Sequence, residues 1–159
     1  MKGASNVRAV DAADLHLGLR KRTEQGIGRI RVLVVDDEHD LAGAIVERLR
    51  RRGFQADAAF HGEDAASRIE RVAYDVMVVD LKLPGSDGLQ LIERARSTCP
   101  GLQAVVLTGH MTIGARMQGE RLGVVAFLEK PADIEALCRA IRAAADRAEA
   151  YASGDGNGT

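Results

Sequence analysis

Two stretches decide the fold of this chain: Arg31-Val-Leu-Val-Val35, which runs into Asp36-Asp37, and Asp75-Val-Met-Val-Val79, which runs into Asp80. Both runs are short, apolar and rich in β-branched residues. They suit strands buried on both faces rather than half-exposed strands or helices. Each then stops abruptly at carboxylates, so buried backbone gives way to charge within one residue.

Working outward, Leu41, Ile45 and Leu49 recur at helical spacing, and the segment closes with Arg48, Arg50-Arg-Arg52 and Gly53. Cations at a helix C-terminus offset its dipole, so this arginine run reads first as a cap and only second as a nucleic-acid patch. Gln55–Phe60 alternates as a weak strand, and Glu63–Val72 reads as a second helix. Asp87-Gly88 opens a third helix carrying Leu89, Leu91, Ile92 and Ala95. Gln103-Ala-Val-Val-Leu107 is a fourth strand, 111–121 a weak helix, and Val124-Val-Ala-Phe-Leu128 a fifth strand. A last helix spans Pro131 to about Tyr151, with Ile134, Leu137, Ile141 and Ala145 on one stripe. Apolar strands alternating with helices predict an α/β fold. Its five-stranded parallel sheet is doubly wound by right-handed crossovers, with helices on both faces. The expected divisions are an irregular or disordered extension over 1–29, one domain over 30–150, and a disordered polar tail over 151–159.

Composition narrows the function classes. The chain has 159 residues, with 22 Lys+Arg against 23 Asp+Glu and a net charge of −1, so no general attraction to nucleic acid or anionic membrane follows. Aromatics are 3% with no Trp, which disfavours stacking on bases or sugars. Cys99 and Cys138 are too few for a disulfide framework and read as reduced thiols. No signal peptide or membrane span is evident, so a soluble cytoplasmic protein is expected.

In doubly wound sheets, functional groups collect at the carboxyl ends of the strands. The residues there are Asp36 and Asp37, Asp80, Thr108 and, just beyond the fifth strand, Lys130. Carboxylates sharing one crevice repel each other unless a cation binds. Oxygen ligands of this kind suit Mg²⁺, which keeps several waters and commonly joins carboxylates to a phosphoryl group. A carboxylate can also be the nucleophile in phosphoryl transfer, given a metal, a cation and a positioning donor to neutralise the moving charge.

Val34-Val-Asp-Asp37, Asp80-Leu-Lys-Leu-Pro-Gly-Ser-Asp-Gly88, Leu107-Thr-Gly-His110 and Phe127-Leu-Glu-Lys-Pro131 together resemble the receiver domain of bacterial two-component response regulators, over about residues 30–148. The resemblance implies a flavodoxin-like sheet of order 2-1-3-4-5 and a signalling switch rather than an enzyme. It implies that Asp80 accepts the phosphoryl group, and that Asp37, Asp80 and the backbone carbonyl of Lys82 bind Mg²⁺ directly, with Asp36 acting through water. Lys130 would pair with one phosphoryl oxygen. Thr108 would move to another, and Phe127 would turn into the space it leaves. The Lys130–Pro131 bond is expected to be cis. Lys82 and His110 occupy positions that tune dephosphorylation in the family. The implied partners are a histidine kinase or histidine phosphotransfer protein, and a protein target on the face of the fourth helix, fifth strand and fifth helix. With about ten residues after the last helix, a stand-alone receiver without a DNA-binding output domain is expected.

Two other readings compete. A phosphatase of the haloacid dehalogenase class needs an acid two residues after its nucleophile, where this chain has Lys82. A non-phosphorylated pseudo-receiver would usually lack Asp80, Lys130 or one of the paired acids, and all are present. Gly26-x-Gly28 precedes the first strand, so it is not a dinucleotide fingerprint. Gly114 and Gly119 each cost about 1 kcal/mol relative to Ala in a helix interior, which fits equally a marginal, switch-prone fourth helix and a plain surface helix of poor propensity.

Overall fold

Hydrogen bonds between the apolar runs build the sheet, and a computed structural model describes it over residues 29–154. The strands of the main sheet are β1 (Arg31–Val35), β2 (Gln55–Ala59), β3 (Val76–Val79), β4 (Gln103–Thr108) and β5 (Ala126–Glu129). They pair in parallel in the order β2-β1-β3-β4-β5, as the family resemblance implied. The helices are α1 (His39–Arg51), α2 (Gly62–Arg71), α3 (Gly88–Thr98), α4 (Ile113–Arg121) and α5 (Ile134–Ser153).

Alternate strand residues face opposite sides, which splits the core in two. Leu33, Val35, Met77, Val79, Ala104 and Val106 pack under α2 and α3. Val32, Val34, Val76, Val78, Val105 and Leu107 pack under α1 and α5. A sheet covered on both faces needs apolar residues at every position, so its inner strands read as continuous runs. Cys99 and Cys138 are buried in opposite halves of this core, so they form no disulfide with each other.

Local chemistry sets the helix starts. Asp87 accepts from Leu89 N–H, Thr112 from Ala115 N–H, Asp133 from Glu135 N–H, and His61 Nδ1 from Asp64 N–H. α1 begins after Glu38 without a side-chain cap.

Several boundaries differ from the sequence reading. The fifth strand starts at Ala126, not Val124, because Gly123 turns the chain at φ 80° just beforehand. α5 starts at Ile134, not Pro131, because Asp133 supplies its cap. It continues through Ser153 to a left-handed Gly154, so residues 151–153 are helical rather than part of a disordered tail. A two-residue antiparallel ladder, Lys82–Leu83 with Ser86–Asp87, was not foreseen; Gly85 at φ 68° makes its turn. The expectations for residues 1–28 and 155–159 lie outside the described residues.

The arginine run is satisfied within the chain. Arg50 pairs with Asp57, Arg51 with Glu47 and Arg52 with Glu135, in keeping with its reading as a helix end. Among the described residues no helix is long and apolar enough to cross a membrane.

Candidate functional site

Continuation of the sheet's ladder fixes the residues just past the strands. Asp36 N–H donates to Ala59 of β2 at 3.0 Å, Asp80 N–H to Val35 of β1 at 3.0 Å, and Lys130 N–H to Thr108 of β4 at 3.0 Å. Three residues from distant parts of the sequence are thereby held along one rim by backbone bonds alone.

Their side chains converge. Lys130 Nζ lies 2.7 Å from Asp36 Oδ2 and 2.8 Å from Asp80 Oδ2, with Glu38 Oε2 at 3.8 Å. Thr108 Oγ1 donates to Asp80 Oδ1 at 2.8 Å, and Lys82 N–H donates to the same oxygen at 3.2 Å. Thr108 also accepts from His110 N–H at 3.2 Å, which fixes its hydroxyl from the other side. Asp36 Oδ1 accepts from Glu38 N–H, turning its second oxygen toward Lys130. Asp36, Asp80 and Thr108 are buried, while Asp37 is exposed at the crevice mouth.

The electrostatics explain the tight packing around Lys130. Burial alone would lower its pKa, but hydrogen bonds and charge from Asp36 and Asp80 outweigh that loss, and the ammonium is held above its ordinary value. One cation does not balance the cluster. Asp36, Asp37 and Asp80 each bring a carboxylate oxygen within 4.8 Å of the other two. Three acids against Lys130 leave net negative charge, with clustered oxygen donors of the kind a hard divalent cation such as Mg²⁺ takes.

The strand-end residues read from the sequence, Asp36, Asp37, Asp80, Thr108 and Lys130, meet in this crevice, and Lys82 borders it through its backbone. The Lys130–Pro131 bond is cis. Phe127 stands apart: its ring packs on α4, against Gly119 and Arg116. Two contributors escaped the sequence reading. Glu38 approaches Lys130, and its place in the acidic run Asp36-Asp37-Glu38 was the available signal. Gly88 was read as a helix opener and as the end of the Asp80–Gly88 motif, without its packing role: a methyl there would collide with the Asp80 backbone oxygen and sit 2.8 Å from Leu81 Cα. Only hydrogen lets α3 start that close to the acid.

A cavity of about 630 Å³ adjoins the crevice beside Asp37. His39 stacks on Phe60 at 3.8 Å in its wall.

Comparison with known proteins places this arrangement. The family model described as the response regulator receiver domain matches residues 32–142. The transcriptional regulatory protein TctD of Salmonella typhimurium is 31% identical over 114 residues, covering 72% of this chain and 51% of TctD. The chain spans about half the length of the curated relatives it matches. A response regulator receiver domain protein (CheY-like) from Methanospirillum hungatei superposes with a TM-score of 0.73 at 25% identity, over 76% of this chain and 97% of that one. A Burkholderia pseudomallei response regulator, solved with a phosphorylated aspartic acid, calcium ion and citrate, gives 0.68 at 28% identity, over 80% and 75%.

Proposed function

This chain belongs to the response regulator receiver domain family, and from that premise we propose that it is a phosphorylation switch whose acceptor is Asp80. The observation that carries the reading is the meeting of Asp80 with Lys130, Thr108 and the Asp36–Asp37 pair at one rim. Asp37, Asp80 and the Lys82 carbonyl would hold Mg²⁺, with Asp36 acting through water, and the bound metal would supply charge neutralisation for the acids and for the phosphoryl oxygens.

The chain's own residues do the rest. The carboxylate of Asp80 attacks phosphorus in line with the leaving group, and the nitrogen of the donor histidine departs with the bonding electrons. Lys130 leaves its present pairing with Asp80 to meet one phosphoryl oxygen, and Thr108 Oγ1 turns its hydrogen from Asp80 to another. Phe127 and α4 then rearrange, which alters the face formed by α4, β5 and α5. The Burkholderia pseudomallei response regulator carries a phosphorylated aspartic acid together with a calcium ion, which supports the chemistry assigned here.

The donor is a histidine kinase or histidine phosphotransfer protein, and the output is a protein target or onward transfer of the phosphoryl group. Curated relatives are named as transcriptional regulators, but the match takes in about half of each, and the pairing of Arg50, Arg51 and Arg52 with acids of this chain favours a protein partner over direct nucleic-acid contact. The receiver unit runs from about residue 30 through α5, in the cytoplasm.

The test is incubation with acetyl phosphate and Mg²⁺, and with a panel of purified phosphorylated histidine kinases and phosphotransfer proteins, read by intact mass. The wild type is expected to gain one phosphoryl mass and Asp80→Asn none. A wild type left unmodified by every donor, or an equally modified Asp80→Asn, overturns the assignment.

A further inference from the structure

α4 is held to the domain by very little. Gly119 is the only buried residue in the helix, while Ile113 is 82% and Met117 51% exposed. That one buried position is also where Phe127 sits. A methyl built on Gly119 would lie 2.6 Å from Cε1 and 2.7 Å from Cζ of the Phe127 ring, and 3.5 Å from Leu89 Cδ2 on α3. Carbon atoms do not approach so closely, so the absent side chain is what makes room for the ring edge. Arg116, one turn earlier on the same face, holds its guanidinium carbon 5.4 Å from the centroid of the same ring. The ring therefore has a seat: a glycine notch at its edge and a cation at its face. Beyond the helix, Arg96 of α3 donates to the carbonyl of Leu122 and pins the C-terminal end of α4. Apart from half-buried Ala115, which packs against the core, these are the contacts that hold the helix.

We propose that Gly119 and Arg116 are positioning residues for Phe127, holding its ring against α4 until Asp80 is phosphorylated. The ring cannot turn without leaving the notch and shedding Arg116, so rotation of Phe127 removes its contacts with α4. The inference rests on the phosphorylation reading for its trigger, while the seat itself is a property of the unmodified protein.

The full chain is compared with Gly119→Ala, Arg116→Ala, Arg116→Lys and Gly114→Ala. A methyl at Gly114 meets nothing within 4 Å, so that variant supplies the same gain in helix propensity without touching the ring. Two quantities are read: the ring-current shift of the Leu89 methyls in the free protein, and affinity for beryllofluoride with Mg²⁺, a mimic of the phosphoryl group. Gly119→Ala is expected to move the Leu89 signals and to tighten mimic binding relative to Gly114→Ala. Arg116→Ala should tighten it about two- to five-fold, the factor matching about 0.5–1 kcal/mol for an exposed cation over a ring. Arg116→Lys should fall between Arg116→Ala and wild type. Leu89 signals in Gly119→Ala that match those of Gly114→Ala overturn the seat. Altered signals with unchanged mimic affinity overturn its coupling to the trigger. A wild type that does not bind the mimic overturns the coupling and counts against the acceptor reading, while the free-protein spectra still decide the seat.

Discussion

Lys130 Nζ and Asp80 Oδ2 stand 2.8 Å apart although 50 residues separate them in the chain. The pair is shared: Asp36 binds the same ammonium at 2.7 Å. Lys130 is therefore the internal counter-ion of an acidic crevice, and its side chain is only 15% exposed.

Removing that cation leaves buried acids unpaired. Lys130→Ala is expected to lower unfolding free energy by about 3 kcal/mol, the low end for breaking a buried pair, since Asp37 opens the site to solvent. Millimolar Mg²⁺ should restore more stability to the variant than to wild type, because the ion replaces a lost charge. Urea unfolding with and without Mg²⁺ checks both. A variant as stable as wild type in the absence of metal would show that the pair contributes nothing.

The raised Lys130 pKa gives a pH signature. Its contribution is fully present below the unfolded lysine value of about 10.4 and is lost as pH rises through the higher folded value. Tyr74 acts in the same window: burial, then its hydrogen bond to Asp57, raises its pKa, so the folded state keeps the neutral phenol while the unfolded chain ionises above about pH 10. Urea midpoints from about pH 8 to about pH 11.5 should fall steeply for wild type. Lys130→Met and Tyr74→Phe should each flatten part of that fall.

Glycines at two positions predict opposite signs. A methyl on Gly43, in α1, meets nothing within 4 Å, so Gly43→Ala should stabilise by up to about 1 kcal/mol through helix propensity. Gly88→Ala forces a methyl into the Asp80–Leu81 backbone and should cost about 2 kcal/mol or more as overpacking. It should also weaken phosphoryl-mimic binding by displacing the acid. Equal effects from the two substitutions would refute the close approach.

Cys99 and Cys138 should not react with a thiol reagent in the native protein. Burial raises both pKa values and shields both sulfurs. Labelling in native buffer should be slow and should become complete in denaturant. Rapid native labelling of either thiol would contradict its placement in the core.

The order of strands and helices was legible because buried runs such as Val76–Val79 are apolar at every position and give way at once to a polar or charged residue. The acids, the hydroxyl and the lysine were legible for the same reason: charge placed directly after a buried strand has few explanations. Boundaries near β5 and α5 were less legible, because Gly123 and Asp133 compete with apolar pattern for control of the chain. The ladder at Lys82–Leu83 and Ser86–Asp87 is too short to carry a period.

From sequence alone came the α/β class, the doubly covered sheet and the candidate residues at strand ends. These follow from local pattern, since burial on two faces and a change to charge are written in consecutive residues. Only the tertiary structure decided which oxygen of Asp80 meets Thr108 and which meets Lys130, how closely α3 approaches at Gly88, and where the Phe127 ring rests. Those outcomes depend on contacts between residues far apart in the chain, and no local pattern encodes a distance across a sheet.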